Sequence, residues 1–385
     1  MKVLYILHST INGGATISFK SLIDGIVKMG VTPIIVYPKG QYNEVIRAFE
    51  KMGIKCFPCR IALSITSNNK SIKFISSLVK LAILKVFSFI NLFRIVKNTN
   101  PDIIHTNTGV VHEGYFVAKF LRKPHVWHIR EYQTKDFNWN FFPSKKSFEK
   151  KLSKSYSVFI TKDLQKYFKQ ENNHSKVIYN PIYDSDEIKS ISIYDEKYFL
   201  IANRISKEKG IDDIIKGYAL FCHNKNDYKL KIAGFGDEKY IYELKNLCAE
   251  LNVSDYVDFI GFVSEMRELI YNAKVLFVGS YYEAFGRMSA EANLLGTFVI
   301  GRNTGGTKEI LELTHGGYLF DKYEEIPLLL NNYLNTDADM MGEAKQIALT
   351  NFSKKNHCDK IMKVYNEIIN ETLSNNRFRD SEQKV

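Results

Sequence analysis

The chain has 385 residues, an ordinary apolar content of 45%, 25% charged residues and a formal net charge of +11. This length suits two domains rather than one. The opening run Met1–Leu7 enters a strand directly, so we expect no signal peptide, and no uncharged apolar stretch is long enough to span a bilayer. Five scattered cysteines form neither a disulfide framework nor a zinc site, so a cytoplasmic protein with reduced thiols is expected.

The positive charge is concentrated in the first half of the chain. Residues 1–180 hold 28 Lys and Arg against 10 Asp and Glu, a net charge of +18, whereas residues 181–385 hold 25 against 32, a net charge of −7. This asymmetry predicts that the first half faces an anionic partner. No recognised nucleic-acid motif is present, so nucleic acid is not the expected partner.

Strand–helix alternation begins at once and predicts a doubly wound sheet. Apolar runs at residues 2–8 and 32–37 predict buried strands, with a helix over 15–29 between them. Gly13 and Gly14, in the turn before this helix, would let the backbone approach a phosphate held at the helix start. A tight strand–helix turn without a ligand explains the two glycines equally well.

The segment 71–97 is apolar almost all round and carries basic charges only. These are Lys73, Lys80, Lys85, Arg94 and Lys97. One interpretation is a long helix that covers the sheet. The other is an interfacial helix whose apolar face enters the headgroup region of a membrane while its basic residues attract anionic lipid.

The next strands carry polar residues at their ends. Residues 124–131 predict a strand that passes His128 and ends near Arg130, and the carboxyl end of such a strand is the expected ligand crevice of an open α/β sheet. The aromatic loop 137–142 follows, which is either a core edge or a contact with lipid headgroups. Asn180-Pro181 marks the expected hinge.

Two Asp-x-Asp sequences resemble divalent-metal motifs. They are Asp184–Asp186 and Asp337–Asp339. Both lie in polar linkers without other ligands nearby, so we interpret them as solvated loops and predict no metal site.

The alternation restarts at Tyr198–Ala202, and the loop that follows contains Arg204 and Lys209. A guanidinium can grip a diphosphate through two hydrogen bonds, and an ammonium adds a point charge. Gly234-Phe-Gly236 after the next strand lacks the third glycine of a dinucleotide fingerprint, which argues against a nicotinamide-dependent oxidoreductase.

The most informative stretch is residues 274–313. An apolar strand over 274–278 is followed by a helix over 285–295, with Glu283 just before that helix and Glu291 about two turns into it. Eight helical residues rise roughly 12 Å, about the length of a nucleotide sugar from its sugar ring to its ribose.

The start of this helix is suited to an anionic, hydroxylated ligand. The amides of Phe285, Gly286 and Arg287 lie at a helix N-terminus, which attracts negative charge. Ionised carboxylates accept hydrogen bonds from hydroxyl groups, as sugar recognition requires. A surface helix with two solvated glutamates is the alternative interpretation.

The whole segment resembles the signature of the retaining glycosyltransferases of family 4. The matching positions are Glu283, Ala284, Phe285, Gly286, Glu291, Ala292, Gly296, Gly305, Gly306 and Glu309. Arg204 and Lys209 are similar to the Gly-Arg…Lys-Gly motif of that family, with Asn203 in place of the usual glycine. Where the family often holds a histidine near the reacting sugar, the register falls on Arg130, with His128 two residues earlier.

The resemblance implies the GT-B architecture, in which two Rossmann-like domains face each other across a cleft. It places an acceptor-side domain at 1–180 and a nucleotide-sugar-binding domain at 181–345. A helix at 346–372 would cross back to the first domain, and we expect residues 373–385 to be disordered.

The implied function is transfer of a hexose-type sugar from a nucleotide-sugar donor, with retention of configuration and no metal or other cofactor. Glu283, Arg204, Lys209 and Arg130 are the expected catalytic residues. The expected donor-binding residues are Gly13, Gly14, Arg204, Lys209, Glu283, Phe285, Gly286, Arg287 and Glu291. The basic first half predicts a peripheral position on the inner face of the cytoplasmic membrane, with a glycan or polyprenyl-diphosphate-linked acceptor of surface-polysaccharide synthesis.

Two other functions remain open at this stage. A nucleotide-sugar epimerase shares the architecture and would turn over the donor without an acceptor. A catalytically silent scaffold of a polysaccharide assembly complex would have no chemical need for the four charged residues together.

Overall fold

The computed structural model describes residues 1–11, 13–66, 72–188, 191–192, 196–222, 228–336 and 340–382, the side chains of 72–75 and 375–382 excepted. The chain divides into two compact units. The N-terminal unit combines Met1–Pro181 with Lys354–Val385, and the C-terminal unit is Ile182–Ser353. The Asp337–Asp339 loop lies outside the described residues, whereas Asp184–Asp186 leads into a short 3-10 helix at Ser185–Ile188.

The described strands of the N-terminal unit form a parallel sheet in the order β3-β2-β1-β5-β6-β8-β9. They are β1 (Lys2–Ile6), β2 (Thr32–Pro38), β3 (Lys55–Cys59), β5 (Ile103–Thr106), β6 (His125–Ile129), β8 (Tyr156–Phe159) and β9 (Ser175–Val177). A short antiparallel pair joins β4 (Ile65–Thr66) to β7 (Asn140–Phe141). Apolar strand residues such as Val3 and Leu4 are fully buried, because helices cover both faces of a parallel sheet.

Helices flank this sheet on both sides. They are α1 (Gly14–Lys28), α2 (Glu44–Lys51), α3 (Ile72–Thr99), α4 (Glu113–Leu121), α5 (Thr134–Phe137), α6 (Lys145–Leu152) and α7 (Lys162–Tyr167). α1 and α2 pack in one core cluster and α3 and α4 in another. The strand order reverses between β1 and β5, so a crevice is expected where the loops after these strands diverge.

Helix α3 has a buried half and an exposed half. Leu92 and Val96 are buried in the core cluster shared with α4. Val79, Ile83 and Phe87 lie nearer the start of the helix, and about half of each side chain is exposed. The second half of α3 therefore covers the sheet, as one interpretation of segment 71–97 has it, and contact of the exposed first half with a membrane stays a prediction.

The C-terminal unit repeats the architecture. Its described strands pair in parallel in the order β12-β11-β10-β13-β14-β15; they are β10 (Tyr198–Ala202), β11 (Lys229–Ala233), β12 (Val257–Gly261), β13 (Val275–Val278), β14 (Phe298–Arg302) and β15 (Gly317–Phe320). The helices are α8 (Ile211–Cys222), α9 (Glu238–Glu250), α10 (Met266–Asn272), α11 (Arg287–Leu295), α12 (Gly305–Thr314), α13 (Ile326–Leu334) and α14 (Met340–Phe352). The predicted doubly wound sheets are thus confirmed in both units.

The last helix, α15 (Lys354–Glu382), belongs to the N-terminal unit. Ile361 and Tyr365 of α15 lie in the same core cluster as Tyr5 of β1. The sequence predicted a helix over 346–372 and a disordered tail, whereas the structure separates α14 from α15 at Ser353 and continues α15 to Glu382. Serine favours helix N-caps, and the polar composition after 372 is compatible with both an exposed helix and a disordered tail.

Candidate functional site

Glycines hold the loops at the carboxyl edge of the C-terminal sheet in close contact. The N–H of Asn203 donates to the carbonyl of Ala233 (3.1 Å), and that of Ile205 donates to the carbonyl of Phe235 (2.9 Å). A Cβ at Gly234 would lie 1.8 Å from the Asn203 carbonyl oxygen. Gly234 is therefore required for packing of the two loops. This packing accounts for the glycine without a dinucleotide-binding role.

The predicted Gly305-Gly306 pair works in the same way. The N–H of Gly306 donates to the carbonyl of Glu283 (2.7 Å), and a Cβ at Gly306 would lie 2.3 Å from the carbonyl carbon of Phe285. The start of α12 thereby supports the loop that carries Glu283. Gly286 ends this loop with a positive φ of 78° and caps α11, a conformation that only glycine adopts readily.

Glu283 and Lys209 form a direct ion pair. The Lys209 Nζ lies 2.5 Å from Glu283 Oε1, and the two side chains are 19% and 20% exposed. Ser280 Oγ donates a further hydrogen bond of 3.0 Å to the same carboxylate oxygen. The structure thus brings two of the predicted catalytic residues together at the carboxyl ends of adjacent strands β10 and β13.

Arg204 lies in the same loop as Lys209 but has a different environment. Its guanidinium pairs with Glu208, and its side chain is 59% exposed. Desolvation opposes the lowered pKa of Glu208, while the charge of the paired Arg204 stabilises the carboxylate. Arg204 is therefore an accessible cation that a carboxylate from the same turn holds in place.

Glu291 projects from the second turn of α11 into a nearly closed environment. Its side chain is 6% exposed, and its Oε2 lies 3.9 Å from Arg287 Nε. Tyr183 donates a hydrogen bond to Oε1, and burial followed by the nearby Glu291 charge raises the pKa of Tyr183. No local sequence pattern indicates Tyr183, which lies 108 residues away along the chain.

Phe285 has a structural side chain. It is buried, and its ring packs edge-on against Phe352 at 5.9 Å. Any contact of this residue with a ligand must therefore use its backbone. Helix α11 begins at Arg287, two residues later than predicted, because Gly286 occupies the cap position.

Two exposed aromatic residues lie beside the Arg204 loop. Phe235 follows β11 and Phe262 follows β12, and they are 64% and 73% exposed. The N–H of Gly234 donates to the carbonyl of Gly261 (2.8 Å), so the two loops are adjacent. Exposed aromatic rings at such a position can stack on a planar ligand such as a nucleobase.

The N-terminal glycine turn differs from those of the C-terminal unit. Gly13 caps α1 in an extended conformation, with φ of −158° and ψ of 177°, and a Cβ there would meet nothing within 4 Å. Gly14 is the first residue of α1. The fold gives Gly13 no steric reason to be glycine, so close ligand approach remains the prediction for this turn.

Arg130 lies directly after β6 and is only 6% exposed. Its Nε donates to Asn107 Oδ1 (2.9 Å) and its Nη1 to Asn180 Oδ1 (2.5 Å). Burial lowers the pKa of Arg130 to about 10. His128 is fully enclosed within β6, so of these two candidates for the position of the family histidine, Arg130 is the one at the carboxyl edge.

Comparison with known proteins places the second unit in a family. Residues 184–347 match the family model described as glycosyl transferases group 1. The chain is 37% identical over 120 residues to an uncharacterised glycosyltransferase of Methanocaldococcus jannaschii, an alignment that spans 31% of this chain and only 30% of that protein. It is 24% identical over 359 residues to the GalNAc-alpha-(1->4)-GalNAc-alpha-(1->3)-diNAcBac-PP-undecaprenol alpha-1,4-N-acetyl-D-galactosaminyltransferase of Campylobacter jejuni, which spans 90% of this chain and 93% of the relative.

Two solved structures that cover almost the whole chain have the same fold. Anabaena HepE in complex with UDP superposes with a TM-score of 0.76 at 18% identity, over 95% of this chain and 100% of that one. A glycosyltransferase from Rickettsia africae superposes with a TM-score of 0.74 at 18% identity, over 96% and 98% of the two chains. Residues 184–347 therefore match the family described as glycosyl transferases group 1, and the whole chain has the GT-B fold.

Proposed function

We propose that this enzyme is a retaining, metal-independent member of family 4 that moves a sugar from a nucleotide-sugar donor to a glycan or polyprenyl-diphosphate-linked acceptor in bacterial surface-polysaccharide synthesis. The observation that carries the proposal is the Lys209–Glu283 ion pair at 2.5 Å, with Glu291 on the other side of the Gly286 cap. A cation for the diphosphate and carboxylates for the hydroxyls of the two sugars then lie along one helix start.

The donor is proposed to lie along the carboxyl edge of the C-terminal sheet. Lys209 and Arg204 bind its diphosphate, Glu283 binds the transferred sugar and Glu291 binds the ribose. Phe235 and Phe262 supply a stacking surface for the base. Solved complexes of Anabaena HepE with UDP and with UDP-glucose support a nucleotide sugar as the class of donor.

The proposed chemistry relies on fixed positive charge. As the bond to the transferred sugar breaks, negative charge develops on the leaving diphosphate. The Lys209 ammonium and the Arg204 guanidinium can stabilise that charge in place of a metal ion, aided by the N-terminus of α11. Because the Glu283 carboxylate holds Lys209 before the donor arrives, the ammonium needs little reorganisation.

The acceptor is proposed to be lipid-linked. The exposed half of α3 is proposed to rest on the anionic inner face of the cytoplasmic membrane. Beside the exposed residues Val79, Ile83 and Phe87, Phe120 of α4 is 70% exposed. Its ring packs against Phe93 of α3 at 5.6 Å, so α3 and α4 share one apolar surface. None of the described helices is long and apolar enough to cross a bilayer.

One basic residue that the sequence assigned to the lipid contact has another role. Lys85 Nζ lies 2.9 Å from Glu113 Oε1 and donates to Ser64 Oγ (2.6 Å). Lys85 therefore fastens α3 to α4 and is not free for lipid. Lys80 is exposed, and the side chain of Lys73 lies outside the described residues.

The two glutamates provide the test of the donor assignment. Glu291→Gln should weaken binding of the plain nucleoside diphosphate, whereas Glu283→Gln should leave that binding nearly unchanged and reduce kcat. Titration calorimetry with UDP and GDP, followed by transfer assays, would measure both. Equal losses of nucleotide affinity in the two variants would contradict the assignment, and donor turnover without an acceptor would favour an epimerase.

Vesicle flotation provides the test of membrane docking. Binding should require anionic lipid, fall as salt rises, and weaken in Lys80→Glu and Ile83→Ser. Lys28→Glu is the matched control, because it makes the same charge change on α1, in the other core cluster of this unit. Binding that ignores lipid charge, or an equal loss in the control, would contradict docking through α3.

A further inference from the structure

The guanidinium of Arg130 is buried, and its hydrogen-bond partners are neutral groups. Its three hydrogen-bond partners are the amide oxygens of Asn107 and Asn180 and Nδ1 of His128 at 3.4 Å. The carboxylate of the adjacent Glu131 accepts from Thr108 Oγ1 and the Gly109 N–H, both at 2.7 Å. Within the part of the chain that the structure describes, no carboxylate forms an ion pair with Arg130.

The Glu131 charge opposes the effect of burial on the pKa of Arg130 without forming an ion pair, and the guanidinium keeps unused hydrogen-bonding capacity. A guanidinium carries five N–H groups, and the described partners take three of them. A buried charge is ordinarily paired with an opposite charge. The position of Arg130 after β6, at the carboxyl edge of the sheet, is where open α/β sheets bind ligands.

A chain of buried side chains fixes the orientation of the guanidinium. Because arginine only donates, Nδ1 of His128 must accept, and the neighbouring His105 Nε2 at 3.3 Å must carry a proton. His105 Nδ1 then accepts from the Tyr365 hydroxyl (2.7 Å), which lies 2.9 Å from the Tyr5 hydroxyl. Burial lowers the pKa of both histidines well below the ordinary value, so the imidazoles are neutral, as these roles require.

We propose that Arg130 is an oxyanion-binding residue for a diphosphate group, and that the chain His128–His105–Tyr365 positions its guanidinium. Phosphate oxygens match the forked geometry of the two remaining N–H groups. The proposal rests on the proposed function only for the source of the diphosphate, which is the lipid-linked acceptor or the nucleotide-sugar donor.

The charge of Arg130 also acts on His8. His8 follows β1, and burial together with the Arg130 charge lowers its pKa to about 4. His8 is therefore neutral near pH 7 and does not compete for the anion. Its imidazole can instead donate a hydrogen bond to the same ligand.

The experiment measures inorganic pyrophosphate binding to the full chain by calorimetry, with and without saturating UDP. If the acceptor is the source, wild-type protein binds pyrophosphate in the presence of UDP, and Arg130→Gln weakens that binding about 10- to 100-fold while its UDP affinity is unchanged. If the donor is the source, Arg130→Gln weakens UDP binding itself. No change in either affinity would overturn the proposal, whether or not the enzyme transfers sugar in the assay.

Two controls separate binding from folding. Arg130→Lys keeps the positive charge but loses the fork, so it should bind pyrophosphate less tightly than wild-type protein. If Arg130→Gln fails to fold, Arg130→Lys provides the test, and pyrophosphate binding as tight as that of wild-type protein would overturn the proposal.

The positioning chain has its own matched pair of variants. Tyr365→Phe removes the donor to His105, whereas Tyr5→Phe removes a buried hydroxyl of the same size and leaves that donor intact. Both should lower Tm, but only Tyr365→Phe should weaken pyrophosphate or UDP binding, by about 3-fold or more. Equal affinities in the two variants would overturn the positioning role.

Discussion

The carboxyl edges of the two sheets hold positive charge in opposite ways. In the C-terminal unit, Lys209 and Arg204 are each paired with a carboxylate and retain access to solvent. In the N-terminal unit, Arg130 is nearly inaccessible and has neutral partners. Exposed pairs exchange partners at little cost, whereas a buried charge is strongly constrained. The C-terminal edge is therefore suited to a ligand that arrives and leaves, and the N-terminal edge to fixing one orientation.

Gly→Ala substitutions in the glycine turns of the two units should give the largest difference in stability. Gly306→Ala forces a Cβ to within 2.3 Å of the Phe285 backbone, so we expect the free energy of unfolding to fall by about 4 kcal/mol or more. Gly13→Ala meets nothing within 4 Å and should change it by less than about 1 kcal/mol. Urea unfolding of both variants measures this difference. Comparable losses would show that the two glycine turns do not differ in packing.

The second-largest expected difference is in the stability lost when one member of a buried or of an exposed ion pair is removed. Lys85→Ala leaves Glu113, whose side chain is 3% exposed, without its counter-charge, and should destabilise the protein by about 3–5 kcal/mol. Arg204→Ala removes one member of an exposed pair and should cost less than about 1 kcal/mol.

A double variant checks the cause of that difference. Lys85→Met combined with Glu113→Gln removes both charges and should recover most of the lost stability in thermal unfolding. If the double variant is as unstable as Lys85→Ala, the loss comes from packing between α3 and α4 and not from the unpaired charge.

Within the C-terminal edge, Lys209 should matter more to catalysis than Arg204. Lys209→Ala removes a preorganised charge and should lower kcat/KM by about 100-fold. The more exposed Arg204 should give a smaller loss when changed to Ala. Initial-rate kinetics with a nucleotide-sugar donor measures both. Wild-type rates in both variants would contradict the proposal that the diphosphate binds at this loop.

The smallest effect concerns a half-buried acid of the N-terminal unit, Asp136. Burial raises the pKa of Asp136 from its ordinary 3.8 to about 7. The folded state therefore holds this proton more tightly than the unfolded state, and ionisation of Asp136 reduces stability as pH rises from about 4 to above 7. Asp136→Asn should accordingly gain Tm relative to wild-type protein at pH 8 but not at pH 4. A difference in Tm that is independent of pH would contradict this assignment.

Local patterns in the sequence were sufficient for much of this structure. Apolar runs such as Val275–Val278 located the strands, and the spacing of Glu283 and Glu291 located the two carboxylates around a helix start. Both features depend on residues that are close along the chain. The stereochemistry, the metal requirement and the roles of the site residues stay predictions.

Partners that are distant along the chain could not be read from local patterns. The contact of His105 with Tyr365 joins residues 260 positions apart. The hydrogen bond from Tyr183 to Glu291 joins residues 108 positions apart. The basic residues of α3 looked equivalent because periodicity shows which residues are apolar but not which partner a charge finds. Only the fold distinguishes Lys85, paired with Glu113, from the exposed Lys80.

Because α15 completes the core of the N-terminal unit, this unit leaves the ribosome before the C-terminal unit but is the later of the two to finish folding. Tyr5 lacks its partner Tyr365 until the whole of Ile182–Ser353 has been synthesised. The C-terminal unit is continuous in sequence, so it can fold while the earlier residues still lack one helix. During this interval the surface of α1 that α15 later covers is exposed, and a chaperone that binds apolar surface would find its target there.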